Sequence, residues 1–128
     1  MAEAYERGAI LGEGTFGVVY AAIRKKDGLK VAIKRSKPIG GEGKNGIHFT
    51  ILREVNYMQE FQCPYIVSLL EVFTTGDAIN MVLERCPFDL KDIIYDKSLF
   101  IRVNDLKCFM KMMLEGVYAC HRKSILHR

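Results

Sequence analysis

The stretch Leu11–Lys34 limits this chain more than any other. It opens with Gly12-Glu13-Gly14-Thr15-Phe16-Gly17-Val18-Val19 and closes with Val31-Ala32-Ile33-Lys34. Three glycines at this spacing let the backbone pass close to a phosphate, because no Cβ blocks the approach. The lysine that follows can set a positive charge beside the same phosphates. A lone G-x-G-x-x-G is a weak signal. Followed by Val18 and a V-A-I-K strand, it is far more specific.

Two architectures compete for this stretch. A dinucleotide-binding βαβ unit would set the glycines between a strand and a helix, with an acid about twenty residues on to hold the ribose. Here the corresponding strand ends in Lys34 and Arg35, and no acid stands there. Val18, Val19 and Tyr20 are β-branched or aromatic and suit a strand better than a helix. Lys26-Asp27-Gly28 is a hairpin turn signal. The reading is therefore strand, glycine loop, strand, turn, strand. Binding of a nicotinamide cofactor would restore the alternative.

The 128 residues are one domain's worth of chain and enough to bury a core. Apolar residues at 49% and charged residues at 27% put the chain in the globular class. A net charge of +4, from 19 basic and 15 acidic residues, is too mild to argue for nucleic acid. Cys63, Cys86, Cys108 and Cys120 form no C-x-x-C and no zinc-like cluster, as expected of reduced thiols in an intracellular protein. The polar segment Met1–Arg7 does not read as a signal peptide. No apolar run approaches the roughly 20 residues that span a bilayer, so no membrane partner is expected.

In chain order, Tyr5–Leu11, Val18–Arg24 and Lys30–Arg35 read as an antiparallel meander. Ser36–Asn45, with Pro38, Gly40, Gly41 and Gly43, is a flexible connection. Gly46–Phe61 then reads as a helix, with Ile47, Ile51, Val55 and Met58 on one apolar stripe and Leu52 beside it. Glu54 sits next to that stripe. A mid-helix glutamate by itself is ordinarily a solvated residue, but a carboxylate here can pair with Lys34 on the strand such a helix would cover. Pro64 ends the helix. Ile66–Phe73 and Ala78–Glu84 are a fourth and fifth strand around Thr74-Thr75-Gly76-Asp77. Asp89–Asp96 is a short helix. Val103–Arg122 is a long one, with Asn104 or Asp105 as its cap. Its stripe of Leu106, Phe109, Met110, Met113, Leu114 and Val117 is expected to be core.

These residues resemble the nucleotide lobe of a eukaryotic protein kinase. Further anchors narrow the resemblance to the cyclin-dependent kinases, most nearly their CDK-activating branch. They are Thr50–Glu54, Pro64–Leu70, Asp89-Leu90, Cys120-His121 and Leu126-His127-Arg128. The resemblance implies an α+β fold, with a five-stranded antiparallel sheet and one regulatory helix followed by the first helices of a helical lobe. It divides the chain into a nucleotide lobe (1–84), a hinge (85–88) and the start of the helical lobe (89–128).

It also implies site residues. Gly12, Gly14 and Gly17, with Glu13, Thr15, Phe16 and Val18 between and after them, would form the lid over the ATP phosphates. Lys34 would bind the α- and β-phosphates, and Glu54 would position Lys34. Leu11, Val19 and Ala32 would cover the adenine, with Leu83 at the back of the pocket. Glu84 and Cys86 would offer main-chain groups to the adenine edge, and Asp89 would face the ribose. His127 and Arg128 look like the start of the H-R-D loop. His127 would be structural, and Arg128 with Arg53 would clasp a phosphate on an activation loop.

The activity implied is ATP-dependent phosphorylation of protein serine or threonine, in cell-cycle or transcription control, in nucleus or cytoplasm. The activation loop of another kinase and the tail of RNA polymerase II are candidate substrates. A cyclin-type subunit is implied at Gly46–Phe61, where His48 and Phe49 depart from the best-known members. ATP and Mg²⁺ are the implied cofactors. The catalytic Asp and the Mg²⁺ ligands of the family fall after Arg128, so the chain as given is expected to be catalytically incomplete and to hold no metal. Phe16 replaces a tyrosine that carries an inhibitory mark in many relatives, which leaves Thr15 as the regulatory position in the loop. The alternative is a non-catalytic module that binds a cyclin or a nucleotide. On the kinase reading the isolated chain would expose the Leu106–Val117 stripe and self-associate; a clean monomer would favour the module.

Overall fold

A computed structural model describes residues 2–15, 17–37 and 49–126. The strands form where β-branched and aromatic residues cluster, and the helices where apolar residues step at helical spacing. After a single 3-10 turn at Ala2–Ala4 come β1 (Tyr5–Gly14), β2 (Gly17–Arg24), β3 (Leu29–Ser36) and α1 (Phe49–Glu60). Then follow β4 (Leu69–Thr75), β5 (Ala78–Glu84), α2 (Leu90–Tyr95) and α3 (Val103–Arg122). The sheet is five-stranded and antiparallel, in the order β1-β2-β3-β5-β4. The α+β expectation holds. The chain forms two units, one of residues 1–60 with 68–85 and one of 61–67 with 86–128.

Several boundaries differ from the sequence reading. β1 runs past Leu11 to Gly14, because Gly12, Glu13 and Gly14 pair with Val19, Val18 and Gly17. The glycine segment is thus the closing end of a hairpin. β4 starts at Leu69 rather than Ile66, since the Ile66 N–H turns back to the Cys63 carbonyl at 3.1 Å. Of the expected Gly46–Phe61 helix, Gly46, Ile47 and His48 lie outside the described residues, as do Phe16, His127, Arg128 and most of the Ser36–Asn45 connection.

The predicted turns are built as their chemistry asks. Gly28 and Gly76 take φ of 73° and 56°, a region that favours glycine. The Asp27 carboxylate accepts from Arg24 Nε at 3.0 Å and Nη2 at 2.6 Å, and from the Leu29 N–H at 3.2 Å. The guanidinium holds the Asp27 carboxyl down at about 2.

Side chains alternate across a strand, so the register sorts the sheet into two faces. Val19, Ala32, Lys34, Met81 and Leu83 share one face, through the pairs Val19–Lys34, Lys34–Met81 and Ala32–Leu83. Helix α1 covers part of it, burying Ile51 and Val55 against Ile79 and Met81, with Leu69, Val72 and Leu83 around them. Full burial of one such aliphatic side chain is worth about 1.5–3 kcal/mol.

The outer face carries Tyr5, Ala22, Val31, Ile33, Phe73 and Val82. The Tyr5 ring stacks on Phe73 with centroids 5.8 Å apart, and its hydroxyl donates to the Glu71 carboxylate. Burial, then the Glu71 hydrogen bond and charge, push the Tyr5 phenol up to about 12. An unfolded tyrosine ionises near about 10. The neutral phenol therefore favours the fold fully below about pH 10, and this contribution is lost as pH rises through about 12. Denaturant midpoints measured across that alkaline range should fall, and Tyr5→Phe should flatten the fall.

In the second unit, Asp89 caps α2. Its carboxylate accepts from the Asp92 N–H at 2.8 Å, while Asp92 accepts from the Asp89 N–H at 3.2 Å. Asp89→Ala should cost about 0.5–2 kcal/mol and Asp89→Asn much less, read from denaturation midpoints. Helix α3 spans the predicted residues. Its cap corrects the expectation: Asp105 is not the N-cap but the third helical residue, reaching back to the Arg102 N–H at 2.9 Å.

The α3 stripe is not core in this chain but exposed, as the kinase reading anticipates: Leu106, Met110, Met113, Leu114 and Val117 are exposed, and only Gly116 of the helix is buried. Helical spacing fixes which residues share a face, but the other described elements of this unit are too few to cover it. Gly116 has a packing reason that periodicity hides. A Cβ there would lie 3.0 Å from the Tyr65 carbonyl oxygen.

Candidate functional site

The site is built on the first unit. V-A-I-K places Lys34 near the end of β3, and the register turns it to the α1 side of the sheet. Ile51 and Val55 seat α1 on that side, which brings Glu54 over the same strand. Lys34 Nζ donates to Glu54 Oε1 at 2.6 Å and to Oε2 at 2.8 Å. Both side chains keep some solvent contact, at 26% and 36% exposure. Exposed ion pairs contribute about 0–1 kcal/mol to a fold, so this one is better placed to orient an ammonium than to hold the sheet together.

The three motif glycines play different structural parts. Gly17 is buried opposite Ser36, and a Cβ there would run into the Arg35 carbonyl oxygen. The fold itself demands that glycine. Gly12 and Gly14 have no positive φ, and a Cβ on either would meet nothing within 4 Å. Neither packing nor backbone conformation requires glycine at these two positions. What the missing Cβ atoms provide is room for another molecule to approach the β1 backbone. This is the observation on which a phosphate fits.

The remaining expected residues divide. Val19 and Ala32 share the Lys34 face, and Ala32 is buried. Leu83 pairs with Ala32, and Glu84 follows it at the end of β5. Leu11 lies at a register shift between Ile10 and Gly12 and is exposed. Thr15 is exposed at the hairpin tip. Val18 does not join Val19. It pairs with Arg35 and so faces the opposite side of the sheet. Cys86 and Asp89 belong to the second unit, where the Asp89 carboxylate caps α2. Arg53 is exposed, with its guanidinium over the Phe49 ring at 5.4 Å. Phe16 and Arg128 lie outside the described residues.

One contact has no signal in the sequence. Lys37 Nζ donates to Glu13 Oε1 at 2.7 Å, joining the residue after β3 to the glycine hairpin. The Lys37 hydrogen bond and charge hold the Glu13 carboxyl below its ordinary range. The partners are far apart in sequence, and the β1–β2 and β2–β3 pairings together bring them near. A related tie has the Ile79 N–H donating to Ser36 Oγ at 2.8 Å, which fixes the end of β3 to the start of β5. Among the described residues no cluster of three or more His, Cys, Asp or Glu side chains forms a metal site, so none of them is assigned to Mg²⁺.

Comparison with known proteins agrees with this geometry. The chain is 44% identical over 124 residues to the serine/threonine-protein kinase KIN28 of Saccharomyces cerevisiae, covering 97% of the chain and 40% of that protein. It is 40% identical over 126 residues to cyclin-dependent kinase 7 of Dictyostelium discoideum, covering 97% of the chain and 35% of that protein. It is 36% identical over 128 residues to cyclin-dependent kinase D-1 of Arabidopsis thaliana, covering 100% of the chain and 32% of that protein. The chain thus spans about a third to two fifths of the length of these relatives. Residues 5–128 match the family model described as protein kinase domain, and the chain belongs to that family.

Proposed function

We propose that this chain is the ATP-binding portion of a cyclin-dependent-type protein serine/threonine kinase. The observation that carries the reading is the Lys34–Glu54 pair, set on the face of Val19 and Ala32 in the unit that holds the open glycine hairpin. Residues 1–84 act as the nucleotide lobe, 85–88 as the hinge and 89–128 as the start of the helical lobe.

ATP supplies the phosphoryl group when it is bound. The chain's own residues bind and orient it. Gly12 and Gly14 let backbone N–H groups come close to phosphate oxygens. Lys34 presents an ammonium to the α- and β-phosphates, and Glu54 keeps that ammonium from swinging towards solvent. Leu11, Val19, Ala32 and Leu83 offer apolar surface to the base. Glu84 and Cys86 offer main-chain donors and acceptors to its edge. Phosphate added to Thr15 would bring about −1.5 to −2 charges against the nucleotide phosphates and oppose binding.

A regulatory subunit of the cyclin kind would meet α1. Its Phe49, Leu52 and Tyr57 are 62%, 48% and 39% exposed, which supports a contact face beside the buried Ile51–Val55 stripe. The substrate is a protein serine or threonine.

The test is displacement of a fluorescent ATP analogue from the chain, with ATP and a nicotinamide dinucleotide as competitors. ATP should displace it and the dinucleotide should not. Displacement by the nicotinamide dinucleotide alone would overturn the reading.

A further inference from the structure

The outer face of the sheet holds a cavity of about 290 Å³ that the nucleotide reading does not use. Ile33, Phe73 and Asn80 are buried around it, Tyr5 and Tyr20 add aromatic surface, and Arg7 and Arg35 add charge. Its remaining lining residue is Thr75. Among the described residues no carboxylate lines it; the Glu71 carboxylate accepts from the Tyr5 hydroxyl.

Both arginines stand at this cavity, and neither Arg7 nor Arg35 is in an ion pair among the described residues, whereas Arg24, Lys34 and Lys37 of the same unit each pair with a carboxylate. The Arg7 guanidinium lies 4.1 Å from the centre of the Tyr20 ring, which holds it in place without neutralising it. Asn80 sits opposite Arg35 on the neighbouring strand, and its amide donates to Thr75 Oγ1 at 3.1 Å.

The cavity therefore has apolar and aromatic walls and two guanidiniums that pair with no carboxylate among the described residues and can bind oxyanions. Its volume is just under the roughly 300–1,000 Å³ of small-molecule sites and suits one anchoring side chain. We propose that it docks an acidic peptide segment of a partner protein. One aromatic or aliphatic side chain fills the cavity, and the carboxylates beside it pair with Arg7 and Arg35. Because these residues lie on the sheet face opposite Lys34, docking does not require the nucleotide.

The experiment uses the whole chain and a fluorescein-labelled peptide, Gly-Glu-Asp-Phe-Glu-Glu-Gly, followed by anisotropy. A second peptide carries Gln and Asn in place of Glu and Asp. Saturable binding of the acidic peptide is expected, weakened at least about 10-fold in the amide peptide and in the double variant Arg7→Gln/Arg35→Gln. Arg7 is exposed and Arg35 half-buried, and ATP-analogue binding by the variant should be unchanged, which separates this proposal from the nucleotide reading. On the unsubstituted chain, the Asn80 side-chain amide signal should shift as peptide is added. Equal binding of both peptides, binding that survives the double variant, displacement by inorganic phosphate alone, or shifts confined to other faces would each overturn the proposal.

Discussion

Replacing Lys34 by alanine, in a protein that carries this chain at the length of its relatives, should lower the proposed phosphotransfer about 10²–10³-fold. The expectation rests on charge. Phosphoryl transfer asks little covalent chemistry of a protein and depends on positioning and on neutralising the phosphate oxygens. Lys34 is the cation that the sheet and α1 jointly aim, through two hydrogen bonds at 2.6 and 2.8 Å to Glu54. The fold should barely notice the change. Both side chains keep solvent contact, so the lost pair is worth no more than about 1 kcal/mol of stability. The measurement pairs initial rates on a generic serine/threonine substrate with a urea melt. Glu54→Gln should show the same pattern more weakly, because Lys34 remains but is held less firmly. Wild-type rates in Lys34→Ala would refute the assignment of Lys34.

The second large effect separates fold from site within one motif. Gly17→Ala should destabilise the chain by about 1–3 kcal/mol, because the new methyl runs into the Arg35 carbonyl and the β2–β3 pairing must shift. Gly12→Ala should leave the denaturation midpoint within about 0.5 kcal/mol, since its Cβ points into open space. Nucleotide affinity should respond the other way, falling in Gly12→Ala through direct obstruction of the phosphates. Equal loss of stability in the two variants would contradict the geometry. Unchanged nucleotide affinity in Gly12→Ala would remove the phosphate role from the hairpin.

Much of this was legible beforehand, and particular residues show why. Val18-Val19-Tyr20 marked a strand because β-branched and aromatic side chains fit a pleated surface. Asp27-Gly28 marked a turn because glycine tolerates the φ of 73° found there. Ile51 and Val55, four residues apart, marked the buried side of α1. These are local properties, set within a few residues by sterics and periodicity.

Other features were out of reach for an equally plain reason. Whether Val18 or Val19 faces Lys34 depends on strand register, because a slip of one residue reverses every side chain. Ile66–Ser68 looked like strand by composition, but the turn at Cys63–Ile66 left it outside β4. Periodicity marked the α3 stripe as one apolar face, but it names a face without saying what covers it.

The sequence by itself determined the elements, the two turn glycines, the glycine hairpin leading to Lys34, and the kinship with protein kinases. Each is written in neighbouring residues. The tertiary structure alone decided that Gly17 serves the fold while Gly12 and Gly14 leave space. It also decided that Lys37 reaches Glu13, and that Arg7 and Arg35 share a cavity with Tyr5, Phe73 and Asn80. Those outcomes depend on which strands lie side by side and in what register. That is settled by burial of Val31, Met81 and Val82 across the whole sheet, not by any single stretch of chain.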